Sequence, residues 1–243
     1  MDLPLTFGDR VVQPDVRRLS DMRELLFDRS FADHADDMDL YFMYRDLYLS
    51  KRDHEILKEA DLRYDITIIP PLLLGCEYVK TAGHYHPPAG KEGVTYPEVY
   101  EVLEGEAHYL LQRLEGSSIT DVVIVEAAER DKVLIPPGYG HITINPSNKR
   151  LKMANLVSRS FSSIYEPIVR KRGGAYFETI DGFVKNKLYG ELPPIRFIKP
   201  RDMPEFGLIK AKEIYGLIRK DIERLEFLTN PAAFIDKFEK ILE

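Results

Sequence analysis

Residues 41–184 consist of short apolar segments separated by turns, and this pattern constrains the fold more than any other feature of the chain. Segments rich in β-branched or aromatic residues occur at 65–69, 77–81, 99–103, 108–112, 121–125, 132–135, 141–144 and 151–157. Glycine, proline, asparagine or charged residues separate them, and Gly105 and Gly116 stand where hairpin turns are expected. Such spacing is typical of an antiparallel sandwich or barrel. We therefore predict a mainly β domain, preceded by an N-terminal segment, over residues 1–190.

Helical patterns are confined to the two ends of the chain. Ser20 as a cap, with Leu25 and Leu26 facing the core, predicts a short helix over 20–28. Residues 191–243 are predicted to form a Pro-rich linker at 192–204 and a helical C-terminal extension. In that extension apolar residues follow helical spacing in two stripes, which are Ile214, Leu217, Ile218, Ile222, Leu225 and Leu228, then Phe234, Ile235, Phe238, Ile241 and Leu242.

Charge and cysteine content exclude several classes of partner. A formal net charge of −6 argues against a nucleic-acid partner, which normally requires a basic face. The single cysteine, Cys76, cannot form an internal disulfide and fits a reducing, cytoplasmic compartment. No apolar run approaches the length that spans a bilayer, so no membrane partner is expected. Edge strands and an amphipathic tail make a homodimer the default expectation.

Histidines and a carboxylate in the β region are candidate metal ligands. His84 and His86 lie two residues apart, so on a strand their side chains share one face and could share one metal ion. A lone His-x-His is a weak signal, and histidines that only support the structure are the commoner case. Glu98 and Tyr100 share a strand face while Glu101 lies on the other, and alternation alone leaves open which face points inward. His141 follows a tight turn into another strand.

Two motifs in these segments resemble those of the cupin superfamily. The first motif ends in His-x-His and continues with a Glu, six residues and a Gly, and Glu98 precedes Gly105 by that spacing. The second motif is matched by the run from Pro136 to Asn145, with His141 in its place. The resemblance implies a jelly-roll barrel, also called a double-stranded β-helix. It also implies a metal held by four residues, His84, His86, Glu98 and His141, with Glu98 preferred over Glu92 and Glu101.

This chain also departs from the cupin pattern at three places. The interval from His86 to Glu98 is longer than is typical, with a Gly- and Pro-rich insertion at 87–97 that could form a rim loop or shift the carboxylate. Tyr78 and Arg130 stand where the superfamily has a glycine before each motif. Because of these departures, the choice of Glu98 as the carboxylate ligand depends on its six-residue interval from Gly105 in the sequence.

A closer resemblance, over roughly residues 40–180, is to the archaeal cupin-type glucose-6-phosphate isomerases. Beyond the four ligands, the matching residues are Thr67, Gly75, Glu77, Thr81, Gly83, Val99, Tyr100, Pro136, Pro137 and Asn145. The resemblance implies that Thr67, Thr81 and Gly83 hold the substrate phosphate. It further implies that Tyr48 or Tyr44, together with Tyr165, contributes to the sugar pocket. Ser163 stands where the family can carry a histidine.

The function implied by this resemblance is interconversion of glucose 6-phosphate and fructose 6-phosphate, a reaction of glycolysis and gluconeogenesis. Glu98 would move the proton between adjacent carbons, and Tyr100 would orient a sugar hydroxyl. One divalent metal per subunit is expected, with Fe²⁺ the first choice and Ni²⁺, Mn²⁺ or Zn²⁺ also suited to the donor set. The alternatives are a non-haem iron cupin dioxygenase and a non-catalytic sugar-binding cupin. Thr67, Thr81 and Gly83 favour the isomerase, because a dioxygenase has no need of phosphate contacts.

Overall fold

The elements of the fold are taken from a computed structural model, which describes residues 4–243. The strands are β1 (Leu5–Phe7), β2 (Arg10–Val12), β3 (Asp15–Arg18), β4 (Asp39–Tyr44), β5 (Leu62–Ile69), β6 (Leu73–Leu74), β7 (Glu77–Tyr78), β8 (Glu98–Glu104), β9 (Glu106–Glu115), β10 (Ser118–Ala128), β11 (Lys132–Ile135), β12 (Tyr139–Ile144), β13 (Leu151–Ser158), β14 (Tyr176–Thr179), β15 (Gly182–Lys185) and β16 (Arg196–Ile198). The α-helices are α1 (Leu19–Met22), α2 (Arg29–His34), α3 (Lys51–Glu59), α4 (Glu166–Arg170), α5 (Tyr215–Lys220) and α6 (Ile235–Phe238). The 3₁₀ turns are Arg23–Leu25, Lys187–Tyr189, Pro204–Phe206, Ile222–Leu228 and Pro231–Phe234.

Two sheets face each other and enclose the main core. The first has the strand order β11-β8-β13-β5-β4-β3, and the second has the order β12-β9-β10-β16. Side chains alternate between inside and outside along each strand, as Tyr109 and Leu111 of β9 show by packing inward while Leu110 packs outward. This arrangement confirms the predicted mainly β fold, with the two facing sheets of a jelly-roll barrel.

A third sheet covers the outer face of the second and so fixes which face of that sheet points inward. It has the order β15-β14-β7-β6. Tyr176 of β14 and Ile168 of α4 pack with Leu110, Val122 and Ile142 in a second apolar cluster. Because Ile142 is buried on this outer side, its neighbour His141 points between the first two sheets. Among residues 4–243, no helix has the length and apolar character required to cross a membrane.

Each of the eight predicted β segments contains a strand, with two local differences. The expectation that helices are confined to the two ends was wrong, because α3 and α4 lie within residues 41–184. At 77–81 the strand ends at Tyr78, and beyond it Lys80 makes only an isolated bridge to Ile144. Gly116 lies in the β9–β10 hairpin as predicted. Gly105 does not close a hairpin, because β8 and β9 belong to different sheets. It forms the corner where the chain crosses between them, with a φ of +83°.

The predicted helix at 20–28 is shorter than expected and is capped differently. It consists of α1 and the following 3₁₀ turn, Arg23–Leu25. Ser20 is not its cap. The backbone N–H of Arg18 donates to the Asp21 carboxylate at 2.9 Å, whereas Ser20 donates its backbone N–H to Asp37 at 2.8 Å. These hydrogen bonds therefore hold the start of the helix to the loop after α2, which contains Asp37.

The C-terminal extension is helical but is divided into short pieces. The first predicted stripe is interrupted at Asp221, whose φ of −149° and ψ of 48° are not helical. A 3₁₀ turn, Ile222–Leu228, follows it. Most of the predicted stripe is nevertheless buried, because the pieces pack on the barrel and on each other. Within the predicted linker, β16 pairs in parallel with β10. The domain division at residue 190 stays a prediction.

Polar contacts attach this extension to the outer side of the first sheet. Glu101 lies on the face of β8 opposite Glu98, and its carboxylate accepts from the backbone N–H of Ile214 at 2.8 Å. Asp53 of α3 accepts from the Tyr215 hydroxyl at 2.8 Å and from Arg219 at 2.7 Å. Burial would raise the pKa of Asp53, but these hydrogen bonds hold it below its ordinary value.

Asp53→Asn should therefore destabilise the fold by about 1–3 kcal/mol, the typical contribution of hydrogen bonds to a charged group. Because the folded-state pKa is lowered, the stabilisation is fully present above the ordinary Asp value of about 4. It disappears as the pH falls through the lower folded value. Urea unfolding at pH 7 and at pH 3 measures this, and the difference between wild type and variant should shrink at pH 3. Asp33→Asn, in an exposed ion pair with Arg29, is the control and should cost less than about 0.5 kcal/mol.

Candidate metal centre

The predicted ligands come together between the two facing sheets. Glu98 stands at the start of β8 in the first sheet, and His141 lies on β12 in the second. His84 and His86 belong to an extended segment beside β12. The backbone of His84 exchanges hydrogen bonds of 3.2 and 3.0 Å with the backbone of His141 on β12. The segment therefore acts as an extra edge of the second sheet.

The four side chains offer donor atoms that all lie within 4.8 Å of one another. The Nε2 atoms of His84 and His86 are 3.1 Å apart. Glu98 Oε2 lies 3.4 Å from His86 Nε2 and 3.3 Å from His141 Nε2. Three imidazole nitrogens and one carboxylate oxygen thus converge on one point, a donor set that suits a divalent transition metal.

Neighbouring groups orient these donors toward their common centre. His86 Nδ1 lies 2.9 Å from the backbone carbonyl of Tyr96, so it can donate there while Nε2 faces the cluster. Asn155 Nδ2 donates to Glu98 Oε1 at 2.7 Å, which leaves Oε2 for the cluster. Tyr96 belongs to the insertion at 87–97, and Phe161 stacks on its ring at 4.7 Å. The insertion therefore packs over His86, and the carboxylate that reaches the cluster is Glu98.

The protonation states favour binding of a cation. Burial lowers the pKa of His84 well below its ordinary value, and the nearby His141 and His86 lower it further. Burial also lowers the pKa of His141. Burial alone would raise the pKa of Glu98, but His141 and His86 hold it well below its ordinary value. Neutral imidazoles beside an ionised carboxylate are the forms that coordinate a metal.

Glu98 Oε2 provides the test of whether these residues fit a metal. It is fully buried and has no hydrogen-bond partner among the described residues. A buried carboxylate oxygen without a partner is costly unless a cation or donor meets it. The unpartnered oxygen faces the imidazole nitrogens, so the cluster could hold a metal ion.

The cluster opens into one cavity, and most of the residues predicted to contact substrate line it. Thr67, Thr81, Gly83, Tyr100 and Tyr165 all lie in its wall. The open space between these residues, its mouth included, is about 680 Å³.

Tyr48 does not line this cavity, which corrects its predicted place in the sugar pocket. Its ring stacks on His54 at 4.1 Å, and the Arg10 guanidinium lies over it at 4.1 Å. Tyr44, the second possibility, is buried on the other face of β4. The upstream tyrosine in the wall is Tyr41, because β4 turns residues 41 and 43 inward.

Several cavity residues had no motif in the sequence. They are Tyr41, Met43, Arg45, Arg63, Asp65, Asn155 and Phe161. Ser163, which the family resemblance had singled out, also lines the cavity. On β5 and β4 the only signal was period-two spacing, of Arg63 and Asp65 with Thr67 and of Met43 with Tyr41. That signal becomes useful only once the inward face of each strand is known.

Gly83 is the position in this site with the least tolerance for a side chain. Its φ is +75°, and a Cβ would lie 2.4 Å from Ile142. We expect Gly83→Ala to cost about 2–5 kcal/mol through backbone strain and overpacking, and to displace His84. Thermal unfolding and bound-metal analysis measure both effects. Gly90 has the same φ with nothing within 4 Å, so Gly90→Ala isolates the strain and should cost about 1–2 kcal/mol. Equal costs in the two variants would contradict the packing argument.

Comparison with known proteins identifies relatives in one family. A family model described as glucose-6-phosphate isomerase (GPI) matches residues 16–190. Glucose-6-phosphate isomerase of Thermococcus litoralis is 31% identical over 138 residues, which cover 55% of this chain and 64% of that protein. The enzyme of the same name from Pyrococcus abyssi (strain GE5 / Orsay) is 30% identical over 134 residues, covering 55% and 64%. The match therefore spans less than two thirds of these relatives.

Likeness to solved structures is weaker. W96Y oxalate decarboxylase of Bacillus subtilis aligns with a TM-score of 0.36 at 15% identity, covering 51% of this chain and 26% of that chain. A similarity of this size supports no conclusion about function. The family match extends over most of the barrel, including the four clustered ligands, and on that basis the chain belongs to the glucose-6-phosphate isomerase family.

Proposed function

We propose that this chain interconverts glucose 6-phosphate and fructose 6-phosphate, with a divalent metal held by His84, His86, Glu98 and His141. The observation that carries the proposal is that one cavity contains both this cluster and the donors Thr67, Thr81 and Gly83. Membership of the glucose-6-phosphate isomerase family supports the same activity. Phosphate binding and carbon chemistry would then occur at two ends of a single ligand.

The phosphate end is supported by the hydrogen bonds around Thr81. Its hydroxyl oxygen accepts from the backbone N–H of Thr143 at 2.9 Å, so its own proton remains free to donate. The backbone N–H of Ala82 donates to the Tyr41 hydroxyl at 3.2 Å, which holds this tyrosine beside the same turn. Hydroxyl and amide donors in a concave turn can bind a phosphate without a basic cluster.

The proton transfer is assigned to Glu98. Asn155 fixes one of its oxygens, and the other points into the cavity beside Tyr100, whose hydroxyl lies 3.1 Å from His141 Nε2. The ionised carboxylate can accept the proton from C2 of the aldose and return it to C1, and Tyr100 can donate to a sugar oxygen. When bound, the metal would polarise the oxygens of the reacting carbons and stabilise the enediolate. Fe²⁺ is our first choice, and Ni²⁺, Mn²⁺ and Zn²⁺ suit the same donors.

We further propose a cytoplasmic homodimer. The compartment is argued from the single cysteine, Cys76, which cannot form an internal disulfide. The dimer is argued from exposed edge strands and from exposed apolar side chains such as Phe197 on β16, which is 54% exposed. Sedimentation equilibrium at micromolar concentration tests it, and a monomer there would contradict it.

The test of the activity is an anaerobic incubation of metal-loaded protein with glucose 6-phosphate, followed by NMR of the sugar carbons. Fructose 6-phosphate should form without oxygen. A product that forms only with oxygen would identify a dioxygenase instead. Binding of the sugar phosphate without conversion, with each of the four metals in turn, would indicate a non-catalytic sugar-binding cupin.

A further inference from the structure

One wall of the cavity carries charged side chains that the proposed mechanism does not use. Arg45 on the segment after β4 and Arg63 and Asp65 on β5 all line the cavity. Arg63 Nε donates to Asp65 Oδ2 at 2.8 Å, and Arg45 Nη1 lies 3.6 Å from the same oxygen. Asp65 Oδ1 accepts from the backbone N–H of Asp46 at 2.9 Å. Both oxygens of this buried carboxylate are therefore occupied, and two guanidinium groups share it.

Arg63 is the member of this group with hydrogen-bonding capacity to spare. Arg45 has a second carboxylate partner, the exposed Asp15, at 3.0 Å. Across residues 4–243, Arg63 has no carboxylate other than Asp65 within ion-pair distance. Its Nε is used, while its two terminal nitrogens have no hydrogen-bond partner in the same residues. The side chain is 27% exposed, so these nitrogens are accessible from the cavity.

The strand register places Arg63 beside the proposed reaction centre. Asn155 of β13 pairs with Asp65 on β5 and with Tyr100 on β8. Because β5 and β8 run in the same direction, the residues two positions earlier, Arg63 and Glu98, also lie at one level of the sheet, with β13 between them. Two strand spacings put their Cα atoms about 10 Å apart. An arginine side chain spans much of that gap, so a small ligand held at Glu98 is within its reach.

The same register sets Arg63 apart from the phosphate end. Thr67 lies four residues along β5 on the same face, and four residues of strand correspond to about 13 Å. A hexose phosphate whose phosphate is held at Thr67 therefore directs its C1–C2 end toward Glu98 and Arg63.

We propose that Arg63 contacts the C1–C2 end of the substrate through its terminal N–H groups and selects ligands that carry negative charge there. This inference rests on the proposed function, since it takes the phosphate to lie at Thr67, Thr81 and Gly83. The enediolate carries its negative charge on the oxygens of these carbons. A planar guanidinium presents paired donors that match two neighbouring oxygens, and Asp65 holds it in place from behind. Donors fixed in this way stabilise charge as it develops.

The test compares two ligands that differ only at C1, 6-phosphogluconate with a carboxylate and sorbitol 6-phosphate with an alcohol. Calorimetric affinities are measured on metal-loaded wild type, Arg63→Gln, Arg63→Lys and Arg159→Gln. Arg63→Gln should weaken 6-phosphogluconate about 10- to 100-fold and change sorbitol 6-phosphate little. Arg63→Lys keeps the charge beside Asp65 but lacks the paired donors, so its loss should be intermediate. Arg159 is similarly exposed at 26% and does not line the cavity, so Arg159→Gln should keep the wild-type ratio.

The outcomes separate this inference from the proposed function. The role of Arg63 is overturned if Arg63→Gln keeps the wild-type ratio of the affinities for 6-phosphogluconate and sorbitol 6-phosphate. It is also overturned if Arg159→Gln loses as much affinity for 6-phosphogluconate. Either result leaves the isomerase proposal standing. Failure of wild type to bind either ligand overturns both. If melting curves show that Arg63→Gln does not fold, Arg63→Lys decides, and a wild-type ratio in that variant overturns the inference.

Discussion

His141→Ala should lose its bound metal and its turnover together. His141 supplies one of the four converging donors, and it is the ligand that β12 contributes from the second sheet. Loss of residues that merely orient a ligand costs about 10- to 100-fold in metal affinity, so loss of the ligand itself should cost at least about 100-fold. Turnover should fall about 1,000-fold or more, because the remaining groups cannot replace the lost charge stabilisation. Metal analysis after dialysis and anaerobic rate measurements provide both values.

His108→Ala is the matched control for this variant. His108 lies on the neighbouring strand β9, and its ring pairs with Glu178 at 2.8 Å outside the cavity. It should keep full metal content and turnover. Metal should also raise the melting temperature of wild type and of the control, since a ligand that binds only the folded state stabilises it. Full metal content in His141→Ala would refute the ligand assignment.

Glu98→Gln should lower turnover about 100- to 10,000-fold, the usual contribution of a positioned acid–base group. The substitution keeps the size of the side chain and an oxygen that can accept from Asn155. It removes the negative charge that faces His86 and His141, so metal affinity should fall as well. Metal content and rate at saturating metal separate the two roles. A variant with restored metal and low turnover identifies Glu98 as the base.

Glu104→Gln is the control on the same strand. Glu104 makes an exposed ion pair with Arg150 at 2.6 Å, outside the cavity, and involves the same change of charge. It should behave as wild type in both measurements. If Glu98→Gln also keeps both its metal and its turnover, Glu98 is neither ligand nor base.

The sequence was sufficient to predict the β-rich barrel and the grouping of the four candidate ligands. Period-two alternation placed His84 with His86, and the resemblance to the cupin motifs added His141 and, through the spacing to Gly105, favoured Glu98 over Glu101. The structure brings Glu98 to the cluster and turns Glu101 toward the C-terminal extension. These features were predictable because they depend on local geometry and on motif spacing.

Features that depend on long-range packing were not predictable. That Tyr41 lines the cavity and Tyr44 does not follows from which face of β4 points inward, and this is set by strands far away in sequence. Tyr48 lies beyond the end of β4 and packs on His54 instead. Arg63 and Asp65 have no motif and acquire a role only through their register with β13. The break at Asp221 lies within a regular helical stripe, because burial against the barrel outweighs local helical preference.

The most direct test of the central claim is an anaerobic titration of metal-free protein with Fe²⁺, in which conversion of glucose 6-phosphate is measured at each addition. Turnover should rise in proportion to bound metal and level off at one ion per chain, as one cluster of four ligands requires. Full turnover in the presence of a chelator, before any metal is added, would contradict the account. A fully loaded site without turnover would contradict it equally.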